Sequence, residues 1–132
     1  MALVDDLKRD EGLRLKPYLD TTGHWTVGYG RNLTDVGISE AEAEYLLAND
    51  IARAESFLDA SLPWWRTLSP DRQRALANMA FNLGPELLTF KVTLGRLQAG
   101  NYVAAAESML QSLWAKQVGA RAVRLAALVR GT

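Results

Sequence analysis

The chain has no cysteine and a single histidine, His24, among its 132 residues. The first absence excludes a disulfide framework and a thiolate metal site. The second leaves too little for a histidine metal cluster or a histidine-based catalytic triad, and neither metal nor cofactor is expected. Long apolar runs are missing too: none approaches the roughly 20 residues that a membrane-spanning helix needs. The opening MALVDDLKRDEG mixes charges of both signs, so it reads as neither a signal peptide nor a signal anchor. There is no internal repeat and no low-complexity linker. Acid is scarce in one region: from residue 60 onward nine Lys and Arg face only Asp71, Glu86 and Glu107.

What is present suits one compact domain with a core of its own, since 48% of the residues are hydrophobic and 23% charged. The zero net charge hides a partition. Residues 1–34 balance five acids against five bases, and residues 35–59 set seven acids against Arg53 alone. The basic remainder is compatible with an anionic polymer or surface as partner, and equally with solvated helix faces.

Periodicity divides the chain in the same way. Leu3, Val4 and Leu7 give a short amphipathic helix over residues 3–11, stopped near Gly12. Between Leu13 and Thr34 the period changes: Trp25, Val27 and Tyr29 alternate with Thr26, Gly28 and Gly30, which is strand spacing. DTTGH before it reads as a hairpin turn, with His24 an exposed residue at its tip. This is the one β segment the pattern predicts. Ser39 followed by Glu42 is a capping box, and Leu47, Ile51, Ala54 and Leu58 carry that helix to about Asp59. Ser69-Pro70 starts another helix, which ends at Gly84-Pro85. ELLTFKVTLGRLQAG reads as two short helical pieces, Asn101 as the cap of a helix through Leu110, and Gly119 as the break between two final helices. The layout is α+β and mainly α: a small hairpin lobe, a long helix, then a helical bundle. Trp64, Trp65 and Trp114 fit core packing better than sugar stacking.

The chemistry concentrates in DEGLRLKPYLDTTGHWTVGYG. Glu11 is followed after eight residues by Asp20, and Asp20 after five by Thr26. Two carboxylates in different surroundings suit glycoside hydrolysis, one protonated and acting as acid, the other ionised. Glu11 ends a helix, where apolar neighbours are expected; Asp20 sits at a wetter hairpin entrance, with the Thr26 hydroxyl placed to hold a water. Such a pair is also common on ordinary surfaces, and threonine is a good β-former in any strand.

Those residues at that spacing resemble the catalytic signature of the T-even phage type lysozymes, the endolysins of glycoside hydrolase family 24. The likeness extends over nearly the whole chain: ISEAEAEYLLANDIARA is similar to the family's interlobe helix, ALANMAFNLG to its core bundle helix, and SLWAKQVGARAVR to its Trp-and-Arg segment. The resemblance implies a single two-lobed lysozyme-like domain, with residues 12–59 as small lobe and interlobe helix, and residues 1–11 and 60–132 as helical lobe. It implies a muramidase that hydrolyses the β-1,4 bond between N-acetylmuramic acid and N-acetylglucosamine in peptidoglycan. By position it makes Glu11 the acid, Asp20 the base toward water, and Thr26 the water's second holder. Gly30, Asn32, Phe81, Thr93 and Ser108 would line the substrate cleft, with Arg121 reaching toward the catalytic Glu. Phe81 fits plain core equally, Thr93 and Ser108 surface hydroxyls, and Arg121 a solvated helix residue.

Three features depart from the family. Arg31 stands where members commonly have histidine, Gly119 replaces a frequent proline, and the chain is short both between Thr34 and Ser39 and at Thr132. A lytic transglycosylase, which needs the acid alone, and a non-catalytic peptidoglycan-binding or baseplate domain are the competing readings. The basic C-terminal part has no zinc, helix-turn-helix or aromatic motif for nucleic acid. The chain is expected to act as a monomer without inserting in a membrane. It is also expected to accumulate in the host cytoplasm until released to the cell wall.

Overall fold

In a computed structural model, described over residues 1–131, the chain divides into two compact units, Met1–Leu46 and the remainder from Leu47. The first opens with α1 (Ala2–Glu11). It stops at Gly12, whose φ of 72° is open to glycine at little cost and whose N–H closes the last turn on Lys8 O. Three antiparallel strands follow in the order β1 (Arg14–Leu19), β2 (Trp25–Gly28) and β3 (Arg31–Asn32). β2 is the strand the alternation predicts. β1 escaped the pattern because RLKPYL contains a proline and pairs irregularly: Arg14 faces Gly28 and Tyr18 faces Thr26, so four steps of β1 span two of β2. Such a bulge breaks the two-residue period by which strands are read, and proline is tolerated there.

The alternation is also inverted relative to hydrophobicity. Thr26 is 5% exposed, whereas Trp25 and Tyr29 are exposed. The ladder and polar side-chain bonds therefore hold this unit; among the described residues it buries no large apolar side chain.

α2 (Glu40–Ser61) starts in the first unit and continues into the second. Its capping box forms reciprocally: Glu42 N–H donates to Ser39 Oγ at 3.1 Å, and Ser39 N–H donates to Glu42 Oε1 at 2.8 Å. Of its apolar stripe, Ala54 and Leu58 are buried, while Leu47 and Ile51 stay exposed. A 3-10 turn (Pro63–Thr67) leads to α3 (Pro70–Leu83), capped by Ser69, whose hydroxyl accepts from Arg72 N–H. A second 3-10 turn (Gly84–Thr89) leads to α4 (Lys91–Gln98), α5 (Tyr102–Leu110), α6 (Leu113–Val118) and α7 (Ala120–Arg130). Asn101 precedes α5 as expected, but its side chain makes no capping bond. Gly119, at φ 60°, separates the last two helices.

The core of the second unit gathers Leu58, Leu76, Met79, Leu87, Leu97, Met109 and Val129, each under 2% exposed. Burial of each contributes about 1.5–3 kcal/mol. Trp65 and Trp114 belong to this core, and their indole N–H groups donate to Asp59 and Asn82, so neither ring buries an unpaired donor. Arg72 fastens the end of α7: Nε donates to Val129 O at 2.7 Å, Nη2 to Arg130 O at 3.1 Å, and its guanidinium lies 3.5 Å from the Tyr102 ring centroid.

Candidate active site

The turn between β1 and β2 is built around one oxygen. Asp20 Oδ1 accepts three hydrogen bonds at 2.9 Å, from Thr22 N–H, Thr22 Oγ1–H and His24 N–H. Asp20 N–H in turn donates to His24 O at 2.9 Å, and Gly23, at φ 83°, closes the turn. Among the described residues Asp20 Oδ2 has no hydrogen-bond donor. The carboxylate is thus anchored by one oxygen and free at the other. The His24 N–H is the main cause holding Asp20 below its ordinary value; the Thr22 groups add to it and partial burial opposes. Asp20 is therefore ionised at neutral pH.

Thr26 is the next element of the same frame. Its hydroxyl donates to His24 O at 3.1 Å, so the proton is spoken for and the oxygen retains lone pairs with which to accept. On the β2–β3 ladder Thr26 pairs with Asn32, and on the β1 side with Tyr18.

Glu11 is the last residue of α1. Within its own unit Glu11 is exposed, as is every other residue of α1, while the Asp20 side chain is 33% exposed. The polar turn folds over Asp20 and accounts for its lower exposure. The Glu11 carboxyl lies instead against the backbone of Gly30, where a methyl group would stand 2.7 Å from Oε2. Gly30 has a φ of 77° and sits between β2 and β3, so the β turn and the end of α1 meet at this glycine.

Arg31 makes a two-pronged ion pair. Nη1 donates to Glu42 Oε1 and Nη2 approaches Oε2, both at 2.8 Å, and Nη1 also reaches Gly37 O. The hydrogen bond from Arg31 is the first cause, and Ser39 the next, of a Glu42 value lowered from 4.5 to about 2. A value depressed in the folded chain means stabilisation that is complete above about 4.5 and is lost as pH falls toward about 2. Amide exchange in β3 and the first turn of α2, corrected for intrinsic rates, should therefore speed up over that interval. Arg31→Gln should weaken the dependence, leaving the part due to Ser39; protection insensitive to pH in the parent chain would show that the pair contributes nothing there.

The remaining candidates lie in the second unit. Phe81 is 44% exposed, which excludes the plain-core reading. It shares a mostly apolar cavity of about 490 Å³ with Asn78 and Arg121, and Arg121 Nε donates to Asn78 Oδ1 at 2.9 Å. Thr93 is buried rather than a surface hydroxyl, and Ser108 is half-buried, donating to Ala104 O and Ala105 O. Both line a second cavity of about 480 Å³ beside Phe90 and Trp114. The first unit carries an open groove of about 750 Å³ along Tyr29, Gly30, Arg31 and Tyr45.

His24 reads in the sequence as an exposed turn residue. It is half-buried, with both ring nitrogens engaged. The four-residue spacing from Asp20 across a tight turn was the signal available. Among the described residues no cluster of three or more His, Asp or Glu is arranged to hold a metal ion, and no helix is long and apolar enough to cross a membrane.

Comparison with known proteins matches residues 8–130 to the phage lysozyme family. The chain belongs to that family. It is 34% identical over 119 residues to an endolysin of Acyrthosiphon pisum secondary endosymbiont phage 1, a match covering 87% of this chain and 80% of that one. It is 36% identical over 124 residues to an endolysin of Bacillus phage B103, covering 89% of this chain and 46% of the other. The pre-baseplate central spike protein of Enterobacteria phage T4 is 30% identical over 158 residues, covering 98% of this chain but 28% of that larger protein. As a phage lysozyme of the T4 type, the chain is a peptidoglycan-hydrolysing enzyme, and its mainly helical α+β architecture with a small three-stranded sheet is that of a lysozyme.

Proposed function

We propose that this phage lysozyme cleaves the β-1,4 bond between N-acetylmuramic acid and N-acetylglucosamine by a single inverting displacement. Glu11 gives its proton to the glycosidic oxygen. A water bound between Asp20 Oδ2 and Thr26 Oγ1 attacks the anomeric carbon from the opposite face, and Asp20 accepts its proton. The observation that carries this reading is the division of labour within Asp20: Oδ1 is saturated by three donors while Oδ2 is left open. A carboxylate fixed in that way is suited to orienting a water. Thr26, whose own proton goes to His24 O, supplies a second acceptor. Gly30 and Asn32 on the β side, and Phe81, Thr93, Ser108 and Arg121 in the second unit, are the proposed glycan contacts. The chain is proposed to act as a monomer that reaches the wall from the cytoplasm.

Proton NMR of a β-linked substrate, followed before mutarotation, tests the reaction. The new reducing end should appear first as the α-anomer. A β-anomer, or a glycosyl-enzyme trapped on Asp20, would make Asp20 a nucleophile. A product lighter by one water would indicate a transglycosylase, and no new end at all a binding module.

A further inference from the structure

His24 is the hub of the frame that holds Asp20 and Thr26. Its N–H donates to Asp20 Oδ1, and its carbonyl accepts from both Asp20 N–H and the Thr26 hydroxyl. Whatever fixes His24 therefore fixes both groups at once. Its ring is tied on two sides. Nδ1 lies 2.6 Å from Thr22 Oγ1 and 3.5 Å from Asp20 Oδ1, and Nε2 lies 3.2 Å from Asp35 Oδ2. Asp35 is itself locked to Asn32, donating N–H to Asn32 Oδ1 at 3.0 Å and accepting from Asn32 Nδ2 at 2.9 Å. A continuous polar chain thus runs from Asp20 through Thr22, His24 and Asp35 to Asn32, the ladder partner of Thr26.

Hydrogen-bond arithmetic assigns the protons. The single Thr22 hydroxyl proton goes to Asp20 Oδ1, so Thr22 Oγ1 faces Nδ1 as an acceptor. The Asp35 carboxylate also only accepts. Both ring nitrogens must carry hydrogen for these two links and the Thr22–Asp20 bond to exist together, which is the imidazolium form. Neutral imidazole has one N–H, so one of the three links, Thr22 to Asp20, Thr22 to Nδ1 or Nε2 to Asp35, must be lost. The charged groups facing the ring are Asp20 on the turn side and Asp35 beyond β3.

We propose that His24 is a positioning residue for hydrolysis: its imidazolium ties the Asp20 turn to Asp35 and so keeps the Asp20 carboxylate and the Thr26 oxygen trained on one water. The proposal rests on the role given above to Asp20. A link that depends on the proton count of the ring makes turnover sensitive to pH, and it is to be followed over pH 5 to 8, where histidine side chains in general change charge.

The test compares the parent chain with His24→Phe and Asp20→Asn on a soluble peptidoglycan fragment across that range. His24→Phe should lower kcat by about tenfold at the acid end while KM stays within about twofold, because the ring orients a reacting group without touching the glycan. In the parent, kcat should fall along the same curve that proton–nitrogen NMR records for the His24 ring, and this limb should vanish in His24→Phe. If His24→Phe turns over within about twofold of the parent at every pH, the proposal is wrong. Should that variant fail to fold, a parent kcat that stays level across the ring titration overturns it equally. Asp20→Asn separates the two readings. Loss of activity there with His24→Phe unaffected removes only the role of His24, whereas a fully active Asp20→Asn removes the role of Asp20 and this inference with it.

Discussion

Glu11→Gln should lower lysis of outer-membrane-permeabilised bacteria by about a hundredfold or more, the range lost when a positioned general acid is removed. The substitution is nearly isosteric, and the side chain it replaces ends an exposed helix and leans on the bare backbone of Gly30. An amide fits the same space and keeps a hydrogen-bonding head group, so little but the transferable proton changes. Far-ultraviolet circular dichroism and the thermal midpoint should accordingly match the parent. Activity within about threefold of the parent would remove Glu11 from the mechanism, because water cannot supply the proton that a leaving sugar oxygen needs at comparable speed. Asp20→Asn run beside it distinguishes acid from water-orienting carboxylate: both should fail, but only the Asp20 variant loses the charge of an acceptor tied into the β1–β2 turn.

The helices were legible wherever local chemistry specifies an end. Gly12, the Ser39–Glu42 box, Ser69-Pro70 and Gly119 each stop or start an element where the pattern placed it, because each acts on backbone groups within one turn of itself. β1 was not legible. Its pairing with β2 depends on a bulge around Pro17, a feature of two strands together that neither shows alone. Asn101 has the right residue type for a cap and stands at the cap position, yet its side chain makes no capping bond, since residue preference does not fix a rotamer.

At the site, the spacing of Glu11, Asp20 and Thr26 is visible in the chain. What the spacing does not encode is which oxygen of Asp20 is occupied, or that the Thr26 proton goes to a carbonyl. Those facts follow from turn geometry. His24 was missed for a related reason: its partner Asp35 lies eleven residues on, across β3, and only the folded ladder brings the two within 3.2 Å. Arg31, noted as a departure, proves to be the clamp of β3 onto Glu42, a tie of the same acid that completes the α2 cap.

Gly30→Ala should damage activity far more than it damages the fold. Two effects of the added methyl group act together. The first is conformational: φ of 77° costs a residue with a side chain about 1–2 kcal/mol relative to glycine. The second is steric and specific, because the methyl carbon would stand 2.7 Å from Glu11 Oε2 and 3.2 Å from its carboxyl carbon. That overlap is relieved by swinging the end of a flexible side chain, so it adds little to the folding cost, yet the displaced atoms are the ones proposed to deliver the proton. A shift of about 1 Å in a reacting group costs on the order of a hundredfold in rate. Gly28→Ala is the matched control. Its φ of 70° imposes the same kind of backbone strain, but nothing lies within 4 Å of the added carbon. Both variants should therefore lose about 1–2 kcal/mol in denaturant unfolding, while only Gly30→Ala loses most of its lysis, chiefly through a fall in kcat. Equal loss of activity in the two would trace the defect to backbone strain in the β2–β3 turn and deny Gly30 any part in placing Glu11.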